Sequence, residues 1–102
     1  MNELAMMVSG TTKPGKREEL RALFERLLAP AAQANDAQRF VAFCLDHREP
    51  DRFFLFEIYS SAAAMQANAQ NPAFAEYMQA SMPLLSAPPE MSMGSIAFLE
   101  RK

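Results

Sequence analysis

The sequence predicts an α+β fold of the ferredoxin-like kind, β-α-β-β-α-β, with helices on one face of an antiparallel sheet. Three observations carry that expectation. Leu20, Leu23, Phe24, Leu27, Leu28 and Ala31 recur at i, i+3, i+4, i+7, i+8 and i+11, the apolar face of one amphipathic helix. "RFVAFCLDH" (39–47) and "RFFLFEIYS" (52–60) are strand-like and joined by "REPDR", whose Pro50 and Asp51 favour a tight turn. Short apolar segments stand at the two ends, where a first and a last strand complete the sheet.

Taken in order, "ELAMMVSG" (3–10) is a first strand closed by Gly10. In "TTKPGKREEL", Pro14 sits where the first turn of a helix tolerates it. Pro30 lacks an N–H and crowds the carbonyl of Arg26, so the helix is expected to kink or end near there. After the hairpin, Ser60 or Ser61 can cap a short helix running to about Gln70. Asn71 caps the next, with Pro72 at its first position and Phe74, Tyr77, Met78, Met82 and Leu85 as its apolar stripe. "SAPPE" (86–90) reads as an extended linker and "MSMGSIAFLE" (91–100) as the last strand.

The 102 residues are expected to form one domain, 1–102. Ten Lys and Arg stand against twelve Asp and Glu, and Lys13, Lys16, Arg17, Arg21 and Arg26 interleave with Glu18, Glu19 and Glu25. That is a solvated helix surface, so no nucleic-acid partner is expected. No apolar run reaches the ~18 residues of a membrane span, and "MNELAMMVSG" has no charged start and no apolar core of signal length, so the expected location is the cytoplasm. Cys44 and His47, single residues of their kind, make no metal site between them. His47 is expected exposed at the turn and Cys44 buried and inert. With only Gly10, Gly15 and Gly94, there is no phosphate-binding glycine loop.

Residues 52–60 are apolar on both parities: Phe54, Phe56 and Ile58 on one, Phe53, Leu55 and Tyr59 on the other. Both faces of this strand should therefore be covered. One helical layer covers one face only, and a second copy of the chain, sheet against sheet, is the economical cover for the other.

Glu57 is the most telling polar residue, because a carboxylate amid Phe and Ile must find partners or shift its pKa. It is either a structural acid held by an Arg or backbone N–H groups, the reading favoured here, or a general base. Tyr59 lies two residues on, on the same strand face, so the two can share a cavity; otherwise it is a rim aromatic. Asn68 can orient a carbonyl or phenolate oxygen, or serve as a cap amide.

"KPGKREEL" after the first strand, "PDRFFLFEIYSS" at the hairpin and "AMQANAQNPAF" leading into a helix resemble the antibiotic biosynthesis monooxygenase family. The most specific element is Glu57-x-Tyr59, then Ala64-Met65, position 68, Pro72 and Phe74. The resemblance implies a dimeric α+β barrel and a homodimer. It also implies cofactor-free oxygenation of a small aromatic or quinol-type molecule, with no cofactor and no metal. Catalytic candidates are Asn68, Tyr59 and Glu57. Phe74, Met65 and Met78 are expected to bind substrate in a cavity between helices and sheet. Many members carry His where this chain has Asn68, and Asn exchanges no proton near neutral pH, so a His-based mechanism does not transfer. Haem-degrading members use a first-strand Asn and a Trp; here that strand reads Ala5-Met6-Met7-Val8, and the chain has no Trp. The alternative is a non-catalytic ligand-binding or structural dimer of the same fold.

Overall fold

A computed structural model describes residues 3–102. Strand β1 (Leu4–Thr11) leads to helix α1 (Arg17–Gln33), then to strands β2 (Gln38–Leu45) and β3 (Arg52–Tyr59). Helices α2 (Ala62–Ala69) and α3 (Pro72–Ser81) follow, then a 3-10 turn (Met82–Leu84) and β4 (Glu90–Ser95). The four strands are wholly antiparallel in the order β2-β3-β1-β4. This is the expected ferredoxin-like α+β arrangement, with the two central strands contributed by the first strand and the second arm of the hairpin.

Local chemistry explains most boundaries. Ser61 accepts a hydrogen bond from the Ala64 N–H at 3.1 Å, and Asn71 accepts one from the Ala73 N–H at 2.9 Å, each capping its helix. Pro14 stands one turn earlier than expected, outside α1. It forms a reverse turn with Gly15, whose φ of 77° suits glycine, closed by Lys16 N–H to Lys13 O at 3.0 Å. α1 ends at Gln33, three residues beyond Pro30. The proline falls in the last turn, where its missing N–H frees one carbonyl, and the Ala34 N–H bonds back to Pro30 O at 3.1 Å. The last strand is shorter than expected because Ser95 already pairs with Leu4, where β1 begins.

The core forms between α1, α3 and the helix-facing side of the sheet. Leu20, Leu23 and Phe24 from α1 meet Phe53 and Leu55 from β3 and Tyr77 from α3. Phe43 stacks on Phe53 at 5.7 Å and lies 4.8 Å from Phe24, so one aromatic file joins β3, β2 and α1. Arg17, at the start of α1, shares its Nη1 hydrogens among the carbonyls of Asp46 (2.8 Å), Glu49 (3.2 Å) and Arg52 (3.0 Å). That ties the helix to the β2–β3 turn.

Among the described residues, nothing covers the large apolar side chains of the opposite sheet face. Met7, Phe40 and Phe56 are 43%, 49% and 40% exposed there. Cys44, expected buried, is half-buried on this face, because no helix packs over it. His47 is exposed at the hairpin turn, as expected. Among the described residues, no helix is long and apolar enough to cross a membrane, and no group of three or more His, Cys, Asp or Glu stands together.

Candidate functional site

Alternation along β3 sends Phe53, Leu55, Glu57 and Tyr59 towards the helices, and all four are buried. The last two form the polar end of an otherwise apolar strand face. The Tyr59 hydroxyl donates to Glu57 Oε1 at 2.5 Å, and Gln38 Nε2 donates to the same oxygen at 2.7 Å. From α2, Asn68 Nδ2 donates to the Tyr59 hydroxyl at 2.9 Å, and Asn35 Nδ2 donates to Asn68 Oδ1 at 3.3 Å. Glu57 is thus held by a neutral amide and a phenol. Its expected structural partners, an Arg or backbone N–H groups, are not among its hydrogen bonds.

Gln38 reaches this site through an irregularity in β2. Gln38 pairs with Tyr59 and Phe40 with Ile58, so Arg39 is an extra residue in the ladder. In a regular ladder Gln38 and Phe40, two residues apart, would share a face; the bulge turns Phe40 to the open face and Gln38 to the helix side.

The electrostatics follow from burial. Desolvation pushes the Glu57 carboxyl above its usual 4.5, against the opposing pull of the Tyr59 and Gln38 hydrogen bonds. Burial and the neighbouring carboxylate push the Tyr59 phenol far up, so it stays protonated and acts as a donor. Tyr77 is pushed up to about 12 by burial and then by the charge of Glu57.

Glu57 stands in the wall of a cleft of about 530 Å³ between the helices and the sheet. The walls are mostly apolar, with Phe24, Leu28, Val41 and Phe74 among them, and four methionines (Met6, Met78, Met82 and Met91). Polar groups come from Gln38, Glu57, Asn68, Asn71, Tyr77 and the serines Ser81 and Ser86. Of the expected site residues, Glu57, Asn68, Phe74 and Met78 share this wall. Tyr59, 1% exposed, is not in the wall; it lies behind Glu57 and orients it. Met65, half-buried on the same face of α2 as Asn68, is not in the wall either. Gln38, Asn35 and Tyr77 were not singled out from sequence as site residues. Tyr77 was legible only as part of a helix stripe, and Gln38 depends on a bulge that strand alternation conceals.

A four-stranded antiparallel sheet with one helical layer, and an apolar cleft holding a single buried carboxyl between them, defines a small α+β protein of the ferredoxin-like kind. The family model described as antibiotic biosynthesis monooxygenase matches residues 4–80, and the chain belongs to that family. A relative, the uncharacterized protein sll1783 of Synechocystis sp., is 32% identical over 85 residues, 83% of this chain. The match spans 57% of that relative's length. Among solved structures, Rv0793 from Mycobacterium tuberculosis superposes with a TM-score of 0.82 at 24% identity, covering 98% of both chains. A mutant of SnoaB, a cofactor-independent oxygenase from Streptomyces nogalater, superposes with a TM-score of 0.84 at 14% identity, covering 100% of both. At those identities the likeness is one of fold.

Proposed function

We propose that this chain is a cofactor-independent monooxygenase acting on a small aromatic or quinol-type molecule bound in the cleft. The observation that carries the reading is Glu57: a buried carboxyl in a cleft wall, without a cationic partner among the described residues, whose burial raises its proton affinity. A carboxylate so placed is suited to take the proton of a phenolic hydroxyl. The resulting phenolate is electron-rich enough to reduce dioxygen itself. Oxygen adds at a ring carbon that bears a hydrogen, and the proton Glu57 took from the hydroxyl completes a hydroperoxide there; loss of the ring C–H proton then breaks the O–O bond, one oxygen staying as the new carbonyl and the other leaving as water with both protons. The apolar walls keep water from the intermediates. Tyr59 and Asn68 act from behind, fixing the carboxyl by the hydrogen bonds given above.

A second copy of the chain on the open sheet face belongs to this proposal, since Met7, Phe40 and Phe56 lie exposed there. A non-catalytic ligand-binding dimer is the second reading, and one observation favours it. Asn68 spends its amide on Tyr59 and its carbonyl on Asn35, which leaves it a structural link where many relatives have a His.

The deciding experiment is oxygen uptake with a dihydroxynaphthalene, compared between the wild type and Glu57→Gln, with isotopically labelled dioxygen. The oxygenase reading expects one labelled atom in the product and a loss of on the order of 10²–10⁴-fold in the variant. Uptake no faster than without protein would leave the ligand-binding reading.

A further inference from the structure

Both internal donors to Glu57, from Tyr59 and Gln38, end on the same oxygen, Oε1. Among the described residues no hydrogen bond ends on Oε2. Nor is there any fully enclosed side-chain oxygen or nitrogen lacking a partner. Oε2 is therefore open to a cavity, and Glu57 lies on the strand face that forms the wall of the cleft. One carboxylate oxygen is anchored and the other is offered. No Lys, Arg or His stands among the lining residues, whose ionisable members are Glu57 and Tyr77. With Glu57 ionised, a ligand group at Oε2 must donate a hydrogen bond, and a ligand carboxylate or phosphate would meet the Glu57 charge in a low-dielectric wall with nothing among the lining residues to balance it.

We infer that Glu57 is the specificity-determining residue of the cleft, selecting an uncharged aromatic ligand that presents a hydroxyl to Oε2 and rejecting its carboxylate or phosphate counterparts. This rests on the reading of the cleft as the ligand site, not on turnover there. Gln38 is a positioning residue in the scheme. Its amide, brought inward by the extra residue Arg39, helps Tyr59 saturate Oε1 so that Oε2 points to the ligand.

The test is binding, followed by calorimetry at about pH 8, above the usual carboxylate range and below that of a naphthol. Three probes of nearly one shape separate the terms: 2-naphthol, 2-methoxynaphthalene and 6-hydroxy-2-naphthoate. Naphthol is expected to bind best. The ether, lacking the donor, should bind about 10-fold to 100-fold more weakly, the worth of a hydrogen bond to a charged group. The naphthoate should be at least as disfavoured as the ether. In Glu57→Gln the gap between naphthol and naphthoate should narrow at least tenfold, because the amide carries no charge. Gln38→Leu should weaken naphthol while leaving the anion rejected. Naphthoate binding as tightly as naphthol, ether and naphthol binding alike, or no binding of any probe overturns the inference. Because no oxygen is consumed in the measurement, its outcome is separable from that of the oxygenase reading. An anion that bound and was oxidised would overturn the charge rule and leave the oxygenase standing.

Discussion

The Tyr59 hydroxyl donates to Glu57 Oε1 at 2.5 Å while accepting from Asn68 Nδ2 at 2.9 Å, so the phenol links a carboxylate on β3 to an amide on α2. Residues two apart on a strand point the same way, and here that elementary fact places a fixed proton donor behind a candidate base. Burial raises both groups, with Glu57 adding to the rise at Tyr59. Where the two share a proton, the phenol keeps it and the carboxylate stays an acceptor.

Tyr59→Phe removes that donor and leaves the ring's packing in place. Loss of a hydrogen bond to a buried charge costs about 1.5–3 kcal/mol, and at about 4–8 °C per kcal/mol for a domain of this size the fall in melting temperature is easily read. The carboxyl, with one fewer donor, should titrate higher still. The acid limb of a pH–activity profile would move to higher pH in the variant, and an unmoved limb would separate Tyr59 from Glu57.

The pH dependence of stability gives a second expectation for Glu57. Its folded pKa is raised by burial, so between the unfolded value near 4.5 and the folded value the native state binds more protons than the unfolded chain. Stability from this group therefore falls as pH rises through that window and is flat above it. Asp46, held low by the N–H groups of Glu49 and Arg48, acts in the opposite sense, losing stability as pH drops. The two effects overlap in the wild type. Subtracting the melting curve of Glu57→Gln isolates the first: the variant should gain on the wild type as pH rises above about 4.5 and melt no lower than it at neutral pH. A variant that instead melts several degrees lower at neutral pH would return Glu57 to a structural role.

Arg17 supplies a third test. One nitrogen of its guanidinium, Nη1, closes the β2–β3 turn through three carbonyls, a convergence that the three donors of a lysine ammonium can also meet. Arg17→Met should therefore lose about 1.5–3 kcal/mol by thermal unfolding, and Arg17→Lys should keep part of it. A Lys variant no more stable than the Met variant would mean that the reach and shape of the guanidinium are needed there.

The fold was legible because its signals are local or strictly periodic. The helical spacing from Leu20 to Ala31, the Asn71-Pro72 start and the Pro50-Asp51 turn each act within a few residues. The candidate site was half legible. Glu57 declared itself as a carboxyl in a run of Phe, and Asn68 through its place in the family pattern. What stayed hidden depends on register between distant segments. Gln38 reaches the site only because β2 bulges at Arg39 against β3. Tyr59 passes from wall to support because Glu57, nearer the cleft, covers it. The partner of Glu57 was misjudged for the same reason: the rule that buried acids find cations gave way to an amide 19 residues away in sequence.

The open sheet face carries the last expectation. Phe56 stands between Met7 on β1 and Ala42 on β2 at the centre of that face and is 40% exposed, with Phe40 and Met7 also exposed nearby. Covering one such aromatic side chain fully is worth about 1.5–3 kcal/mol, and a two-fold axis doubles every contact. A charge placed there in both copies meets either its symmetry mate or an apolar wall. Phe56→Glu should therefore shift sedimentation from the mass of two chains to that of one, while circular dichroism still shows folded strands and helices. Phe54→Glu, on the same parity but beside Arg52, whose guanidinium lies 5.8 Å from the Phe54 ring, should do so less completely, because a cation is at hand. A wild type that sediments as a single folded chain at micromolar concentration would reject the dimer. A Phe56→Glu protein that stays at twice the mass of the chain would place the interface on another face.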